Sequence, residues 1–389
     1  MTMIADSQAL AALCSRLSSA PYVTVDTEFM RERTFWPHLC LVQIAGPDEA
    51  VAVDPLAEGM DLSPLFDLMT DRSVLKVFHA ARQDVEIFHH LSGKVPAPIF
   101  DTQVAAMVCG FGESASYETL AAKLARARID KSSRFTDWAR RPLSPRQVRY
   151  ALADVTHLRV IYEKLARRLE DNGRTEWLAE EMATLTDPAT YELHPEDAWR
   201  RLKTRSVNPR FLGILRELAA WREKEAQTRD IPRRRVIRDE ALIEIAAHPP
   251  STAAELERVR GLPARFASSP RGEAVLEAVR RGLALPEDAL PQIERPQALP
   301  RGLAPLVDLL KVLLKARCEA HGVAHKLVAS AADLERIALG GEAPVPALKG
   351  WRREIFGADA LELVRGRLAL AANGGKVRLV PLDPLAADA

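Results

Sequence analysis

With 389 residues, 47% of them hydrophobic, the chain is long enough for two or three domains with real cores. Charged residues make up 28% and nearly cancel to a net charge of +1, so any nucleic-acid binding must come from local basic patches rather than from overall charge. Cys14, Cys40, Cys109 and Cys318 are far apart and form no C-x-x-C pair, which argues against a zinc ribbon or a disulfide framework and suits a reducing cytoplasm.

Positions 7–18 predict a short helix, with Ser7 as cap and Leu10, Leu13, Cys14 and Leu17 at helical spacing. Asp6 and the missing basic start make these first residues unlike a secretory signal. After Pro21 comes Tyr22-Val23-Thr24-Val25-Asp26-Thr27-Glu28-Phe29, a strand ending in two carboxylates one residue apart. Residues i and i+2 of a strand share a face, so Asp26 and Glu28 project together. Strands at 40–45 and 50–53 follow on short links, as in an antiparallel meander. A helix at 62–69 leads to a strand at 74–78, and helices and strands then alternate, which predicts a mixed sheet with helices on its faces.

Asp84 stands at the start of a helix expected over 85–90, and Asp101 ends a strand at 99–102 before a helix at 103–109. An N-terminal cap is one role for either residue, and ligation is the other. A helix at 116–127 and a polar loop at 131–141, carrying Phe135 and Trp138, come next. Ser144-Pro145 introduces a long helix to about 171, where Asn172-Gly173 ends it. On it Tyr150 and Asp154 are four residues apart and share a face with apolar neighbours, where an aspartate needs a partner.

Residues 172–207 read as a linker packing back on the first domain, with one helix at 177–185. The rest is predicted helical: 208–229, 239–247, 253–259, 273–283, 303–321, 331–338, 346–355 and 359–368, with a proline-rich linker at 285–300 and a frayed tail from 379. Basic residues outnumber acidic ones between 200 and 238, and Arg233-Arg234-Arg235 falls in a loop between helices. Such a run is either a solvated face or a phosphate-contacting surface. Cys318, His321 and His325 share one helical face, but without a second ligand cluster they read as an ordinary helix surface. No apolar run approaches the length of a membrane span.

Brought together, Asp26, Glu28, Asp84 and Asp154 would form a nest of carboxylates with no lysine among them. Such a nest needs a shared proton or cations, and hard oxygen ligands suit Mg²⁺ or Mn²⁺. Two such ions can activate a water and stabilise a leaving 3′ oxygen on a phosphodiester, and a tyrosine one helical turn before Asp154 could orient that water.

The order Asp26-x-Glu28, Asp84, Tyr150-x-x-x-Asp154 resembles the DEDD exonuclease superfamily in its tyrosine-bearing branch. The longer stretches Val25–Phe29, Thr34–Pro37, Leu41–Ile44, His79-Ala80, Phe100–Gln103, Trp138-x-x-Arg141-Pro142-Leu143 and Tyr150–Val155 resemble the ribonuclease D family. Residues 208–283 resemble the helical nucleic-acid-binding domain shared by RecQ-type helicases and ribonuclease D, and 300–375 a divergent second copy. The resemblance implies an α/β region followed by an all-α one. These are a ribonuclease-H-like mixed-sheet exonuclease domain (1–171), the linker, and two HRDC-like helical bundles (208–285 and 297–378).

It also implies a cytoplasmic 3′–5′ exoribonuclease that releases 5′-mononucleotides from RNA 3′ ends, including tRNA precursors, with two divalent ions. The metal ligands map onto Asp26, Glu28, Asp84 and Asp154, and the water-orienting residue onto Tyr150. By family analogy Asp26, Glu28 and Asp154 hold one ion, and Asp26 bridges to a second that Asp84 supports. Phe29 and Met30 would lie near the terminal base, and Arg233, Arg234 and Arg235 near the RNA backbone. A monomer is expected, since no long apolar face is left over. Two other readings remain: a 3′–5′ exonuclease acting on DNA, because metals see phosphate and not the 2′ hydroxyl, and a pure binding module with a relic nuclease.

Overall fold

The computed structural model describes residues 2–130, 136–204, 206–263, 265–293, 299–340 and 343–382. Phe135 and part of its expected loop, part of the proline-rich linker and the end of the tail lie outside the described residues. The chain divides into two compact units. One comprises Met1–Thr27, Leu41–Thr190 and Gln297–Ala389, the other Glu28–Cys40 and Tyr191–Pro296.

The first unit begins with β1 (Thr2–Ile4), α1 (Ser7–Leu17), β2 (Tyr22–Met30), β3 (His38–Ala45), β4 (Ala50–Val53), α2 (Ser63–Thr70), β5 (Leu75–Phe78) and α3 (Arg82–Ser92). It continues through β6 (Ile99–Asp101), α4 (Thr102–Val108), α5 (Tyr117–Leu120), α6 (Pro145–Asp171) and α7 (Thr175–Thr186). The strands form one mixed sheet in the order β1-β4-β3-β2-β5-β6. β3 and β4 are antiparallel, as the meander requires, while β2, β5 and β6 run parallel. β3 is buried in every residue after His38, a sign that both faces of the sheet are covered.

α6 lays Val148, Ala151, Leu152, Val155, Leu158, Ile161, Leu165 and Leu169 inward at three- and four-residue spacing. Each leucine so buried contributes about 1.5–3 kcal/mol. The helix starts on a capping box, with Ser144 accepting from Gln147 N and the Gln147 side chain returning to Ser144. The Thr24 hydroxyl donates to Val155 O at 2.9 Å, which ties β2 to α6 beside the two aspartates they carry. Lys76 is fully buried in β5, and its Nζ donates to the carbonyls of Asp71, Val74 and Ala97 at 2.6 Å each.

Two local expectations change here. Asp6, not Ser7, caps α1 by accepting from Ala9 N, because the Ser7 hydroxyl donates to Gly59 O. The helix expected over 116–127 is α5 followed by a wider π-helical turn at Ala121–Ala125, which Arg126 ends with φ 53°.

The second unit contains α8 (Pro209–Thr228), α9 (Arg233–Val236), α10 (Asp239–Ala247), α11 (Ala253–Leu256) and α12 (Pro270–Ala284). Asn208 caps α8 with bonds from Arg210 N and Phe211 N. The core joins Leu212, Leu215 and Leu218 to Leu242, Ile245, Val275 and Val279, and it includes Phe35. Asp230 Oδ1 accepts from Phe35 N and Trp36 N at 3.0 and 2.9 Å, pinning that segment. The arginine triplet is not a loop but α9, for a reason that bears on its role below.

The remaining elements return to the first unit: α13 (Ala304–His321), α14 (His325–Val328), α15 (Ala331–Ala338), α16 (Gly350–Arg352), α17 (Ala358–Val364), β7 (Leu368–Asn373) and β8 (Lys376–Pro381). They surround a core of Leu310, Leu313, Leu314, Ile337, Phe356 and Leu361. This region docks on α4 and α7. Trp177 stacks on Trp351 with centroids 4.4 Å apart, and Arg352 pairs with Glu180 and Glu181. Arg174 donates to the carbonyls of Val108, His321 and Gly322. At Gly110, φ 78°, a Cβ would lie 2.6 Å from Gly322 O, so the backbones meet only because that residue is glycine.

The tail departs from expectation. Residues 368–381 form a hairpin in which Leu368 pairs with Pro381 and Asn373 with Lys376. Its two-residue turn, Gly374-Gly375, has both φ positive, as a type I′ connection demands. Among the described residues no helix is long and apolar enough to cross a membrane.

Candidate active site

β2 loses its burial where it leaves the sheet interior. Val23 and Val25 are fully buried, whereas Asp26 and Glu28 are half-buried. Ligand oxygens of Asp26, Glu28 and Asp154 lie within 4.8 Å of one another, the only such acidic, histidine or cysteine group among the described residues. Asp26, Asp154 and Tyr150 line a cavity of about 340 Å³ together with His79, Gln103 and Tyr117.

Asp84 sits in the first turn of α3, buried, but it does not cap that helix, whose cap position is Ala81. Its carboxylate instead accepts from the Thr27 hydroxyl at 2.5 Å. Its pKa is pushed well above the ordinary 3.8 by burial and then by the charge of Asp26, but among the described residues Asp84 does not join the ligand group of Asp26, Glu28 and Asp154. Asp101 is the cap of α4, with Oδ1 accepting from Gln103 N at 2.8 Å. The cap role left open for both aspartates thus falls to Asp101 and not to Asp84.

The acids are crowded. Burial lifts Asp26 to about 6 against a bond from the Thr27 amide. Burial and Asp26 lift Asp154 to about 8. A set of hard oxygen donors packed this closely fits divalent cations, and fits Mg²⁺ or Mn²⁺ better than a soft-ligand metal. The same crowding sets a pH dependence. A carboxyl raised above its unfolded value holds a proton that the unfolded chain has released, so its stability contribution is complete below that value and lost as pH climbs through the folded one. For Asp26 and Asp154 the window runs from their ordinary 3.8 up to about 8. The metal-free protein is therefore expected to melt higher at pH 5 than at pH 8 in EDTA, with Mn²⁺ restoring stability at pH 8. A melting temperature that rises with pH across that range would mean the acids are not crowded.

Tyr150 packs its ring against buried Trp138, centroids 6.1 Å apart. The loop carrying Trp138 is anchored by Arg141, which pairs with Asp54 through two bonds of 2.7 and 2.6 Å and also donates to Trp138 O. Three residues the sequence did not single out as site groups, Tyr117, Gln103 and Thr27, belong here. The Tyr117 hydroxyl donates to Ala153 O at 2.9 Å, next to Asp154. Burial, Asp154 and Asp26 push that phenol far above its ordinary range, so it stays a neutral donor. Burial holds His79 below its ordinary 6.5, and its ring meets Tyr117 edge-on.

Strand alternation puts Met30 on the face of Asp26 and Glu28 and Phe29 on the opposite one; both are half-buried. The arginine triplet separates into two kinds of residue. Arg233 binds Glu223, whose side chain is only 2% exposed, at 2.5 Å and lies over the Phe35 ring. That pairing makes it part of the second unit's own packing, and correspondingly less available to RNA than its expected place in a loop implied. Arg234 and Arg235 are exposed and line an open pocket with Arg238, Arg260, Glu240 and Glu244. Cys318 and His325 enter no metal-ligand group among the described residues; Glu113 accepts from the amides of His325 and Lys326 instead.

A family described as 3′-5′ exonuclease matches residues 1–170, and the HRDC domain family matches residues 211–279. Ribonuclease D of Nitrobacter hamburgensis is 54% identical, with 97% of this chain and 98% of the relative aligned. Ribonuclease D of Gluconacetobacter diazotrophicus is 52% identical, with 97% and 96% aligned. The crystal structure of Escherichia coli RNase D, an exoribonuclease involved in structured RNA processing, superposes with a TM-score of 0.80 at 32% identity, over 94% of this chain and 98% of that one.

Proposed function

The chain belongs to the ribonuclease D family, and on that footing we propose that its 3′–5′ exoribonuclease activity runs on the carboxylate set Asp26, Glu28, Asp84 and Asp154 with Tyr150. The observation that carries this reading is the convergence of Asp26, Glu28 and Asp154, two of which, Asp26 and Asp154, line a cavity together with Tyr150. Asp26, Glu28 and Asp154 would hold one divalent ion, and Asp84 would support a second beside Asp26. Bound there, Mg²⁺ or Mn²⁺ would supply the positive charge that activates water and stabilises a leaving 3′ oxygen.

The chain's own contribution is placement. Thr27 fixes the Asp84 carboxylate, and Trp138 fixes the ring whose hydroxyl orients the water. Tyr117, its hydroxyl hydrogen-bonded to the Ala153 carbonyl and kept protonated by burial, adds no charge to the cavity. The product of each cycle is a 5′-mononucleotide, and tRNA precursors with 3′ trailers are the substrates proposed. The division proposed is 1–171, the linker 172–207, and helical domains at 208–285 and 297–378; the matched ranges support the first and third of these, and the four buried free thiols support a reducing cytoplasm. A monomer completes the proposal.

End-labelled RNA and DNA of one sequence, incubated with Mg²⁺, Mn²⁺ or EDTA and resolved to single nucleotides, test it. A metal-dependent ladder shrinking from the RNA 3′ end is the expected result. Faster shortening of DNA would move the protein to a proofreading or repair role, and a gel shift without shortening would leave only binding.

Arg234 and Arg235 are proposed as phosphate contacts. Replacing both with Ala is expected to weaken RNA binding and to lower the salt slope by about two, without loss of stability. Arg233→Ala is expected to do the reverse. It leaves the buried Glu223 carboxylate with only the longer 3.4 Å contact from Arg201, at a cost of about 1–3 kcal/mol, and leaves the salt slope nearly unchanged. Salt titrations of RNA affinity, run beside thermal melts, separate the two.

A further inference from the structure

The turn from β5 to α3 delivers Asp84, yet its own residues do not account for its shape. Ala80 lies at φ 61°, a left-handed conformation that a residue other than glycine adopts at a cost. α3 begins without a side-chain cap of its own. The turn is held from the neighbouring strand. Asp101 Oδ1 accepts from Ala80 N at 2.9 Å, and Oδ2 accepts from Ala81 N at 2.9 Å. Oδ1 also takes Gln103 N, so one carboxylate that is 3% exposed serves three backbone amides. Thr102 continues the grip, donating to Phe78 O and meeting His79 Nδ1, both at 3.0 Å. Sheet register sets this up, since Phe78 pairs with Asp101 across the parallel β5–β6 ladder. Four consecutive residues, Phe78 to Ala81, are thus fastened from Asp101 and Thr102, and Asp84 follows three positions later.

We propose that Asp101 is the positioning residue for Asp84: by gripping the amides of Ala80 and Ala81 it sets where α3 begins, and so where the fourth carboxylate stands relative to Asp26. The proposal rests on the reading of Asp84 as a metal-supporting acid. Asp101 itself touches neither ion nor RNA, because its oxygens are committed to amides. An asparagine there keeps the size but turns one acceptor into an N–H donor facing a backbone N–H, so the start of α3 must shift.

The test is Mn²⁺ binding to the full chain without RNA, followed by electron paramagnetic resonance of the free ion, for the parent, Asp84→Asn, Asp101→Asn and the double variant. Each single change is expected to weaken Mn²⁺ binding by about 10- to 100-fold. The double variant is expected to bind no more weakly than Asp84→Asn alone, because both act on the same carboxylate. In RNA hydrolysis Asp101→Asn is expected to lower kcat by a similar factor while KM for RNA stays within about twofold. Parent-like Mn²⁺ affinity in folded Asp101→Asn, or losses that add in the double variant, would overturn the proposal. Parent-like affinity in Asp84→Asn would instead remove Asp84 from the metal site, and the proposal with it. Should Asp101→Asn not fold alone, Ala80→Gly is added, since glycine adopts the left-handed turn freely. Weakened Mn²⁺ binding is still expected of that folded pair, and parent-like binding overturns the idea.

Discussion

Asp26→Asn is expected to abolish hydrolysis, by a factor on the order of a thousand or more, while leaving RNA binding close to that of the parent. The loss follows from position: Asp26 is the acid whose charge raises Asp84 and Asp154 alike. On the proposed reading, removing it takes a shared ligand from the group rather than a peripheral one. The same substitution is expected to raise the melting temperature of the metal-free protein at pH 8. It deletes one of several like charges that the fold forces together, and an amide is cheaper to bury than an unpaired carboxylate. Loss of activity with a gain of metal-free stability separates a functional acid from a structural one; a variant that is both inactive and unfolded would point the other way.

Tyr150→Phe is expected to lower kcat by about 10²–10³ while Mn²⁺ binding to the RNA-free protein persists. The phenyl ring retains the packing on Trp138, so only the hydroxyl is lost. Full activity in the Phe variant would take the tyrosine out of the chemistry and leave it as a packing partner. If Trp138 acts by holding that ring, Trp138→Leu should lower kcat as well, and combining it with Tyr150→Phe should add little.

What the sequence revealed follows the range of the forces involved. The paired carboxylates of β2 were legible because strand alternation is local, and the shared face of Tyr150 and Asp154 because helical spacing is too. Caps were mixed. Ser144 was readable as the cap of α6, whereas Ser7 lost the cap of α1 to Asp6 because a distant carbonyl, that of Gly59, claimed its hydroxyl. Asp84 and Asp101 looked interchangeable in sequence, each an acid at a helix start. What tells them apart is which partners reach them, Thr27 for one and three amides for the other, and those come from different strands. The split within the arginine triplet depends on buried Glu223, ten residues upstream, and on Phe35 far from it in the chain. The terminal hairpin was a missed local signal: Asn373-Gly374-Gly375 between alternating segments is hairpin chemistry, overlooked because helices preceded it.

The tryptophan stack and the Arg174 grip bear on how portable the nuclease is. Trp177 belongs to a helix that also supplies Met182 to Asp101, so one face of α7 serves the catalytic sheet while another is covered from positions beyond 300. Cutting the chain after α7 would bare an indole ring, two acidic side chains and the Gly110 backbone at once. The first 190 residues are therefore not a cassette to be lifted out and fused elsewhere. Heating should melt them together with residues 299–382 as one cooperative block, and a shortened enzyme should show its defect first as aggregation.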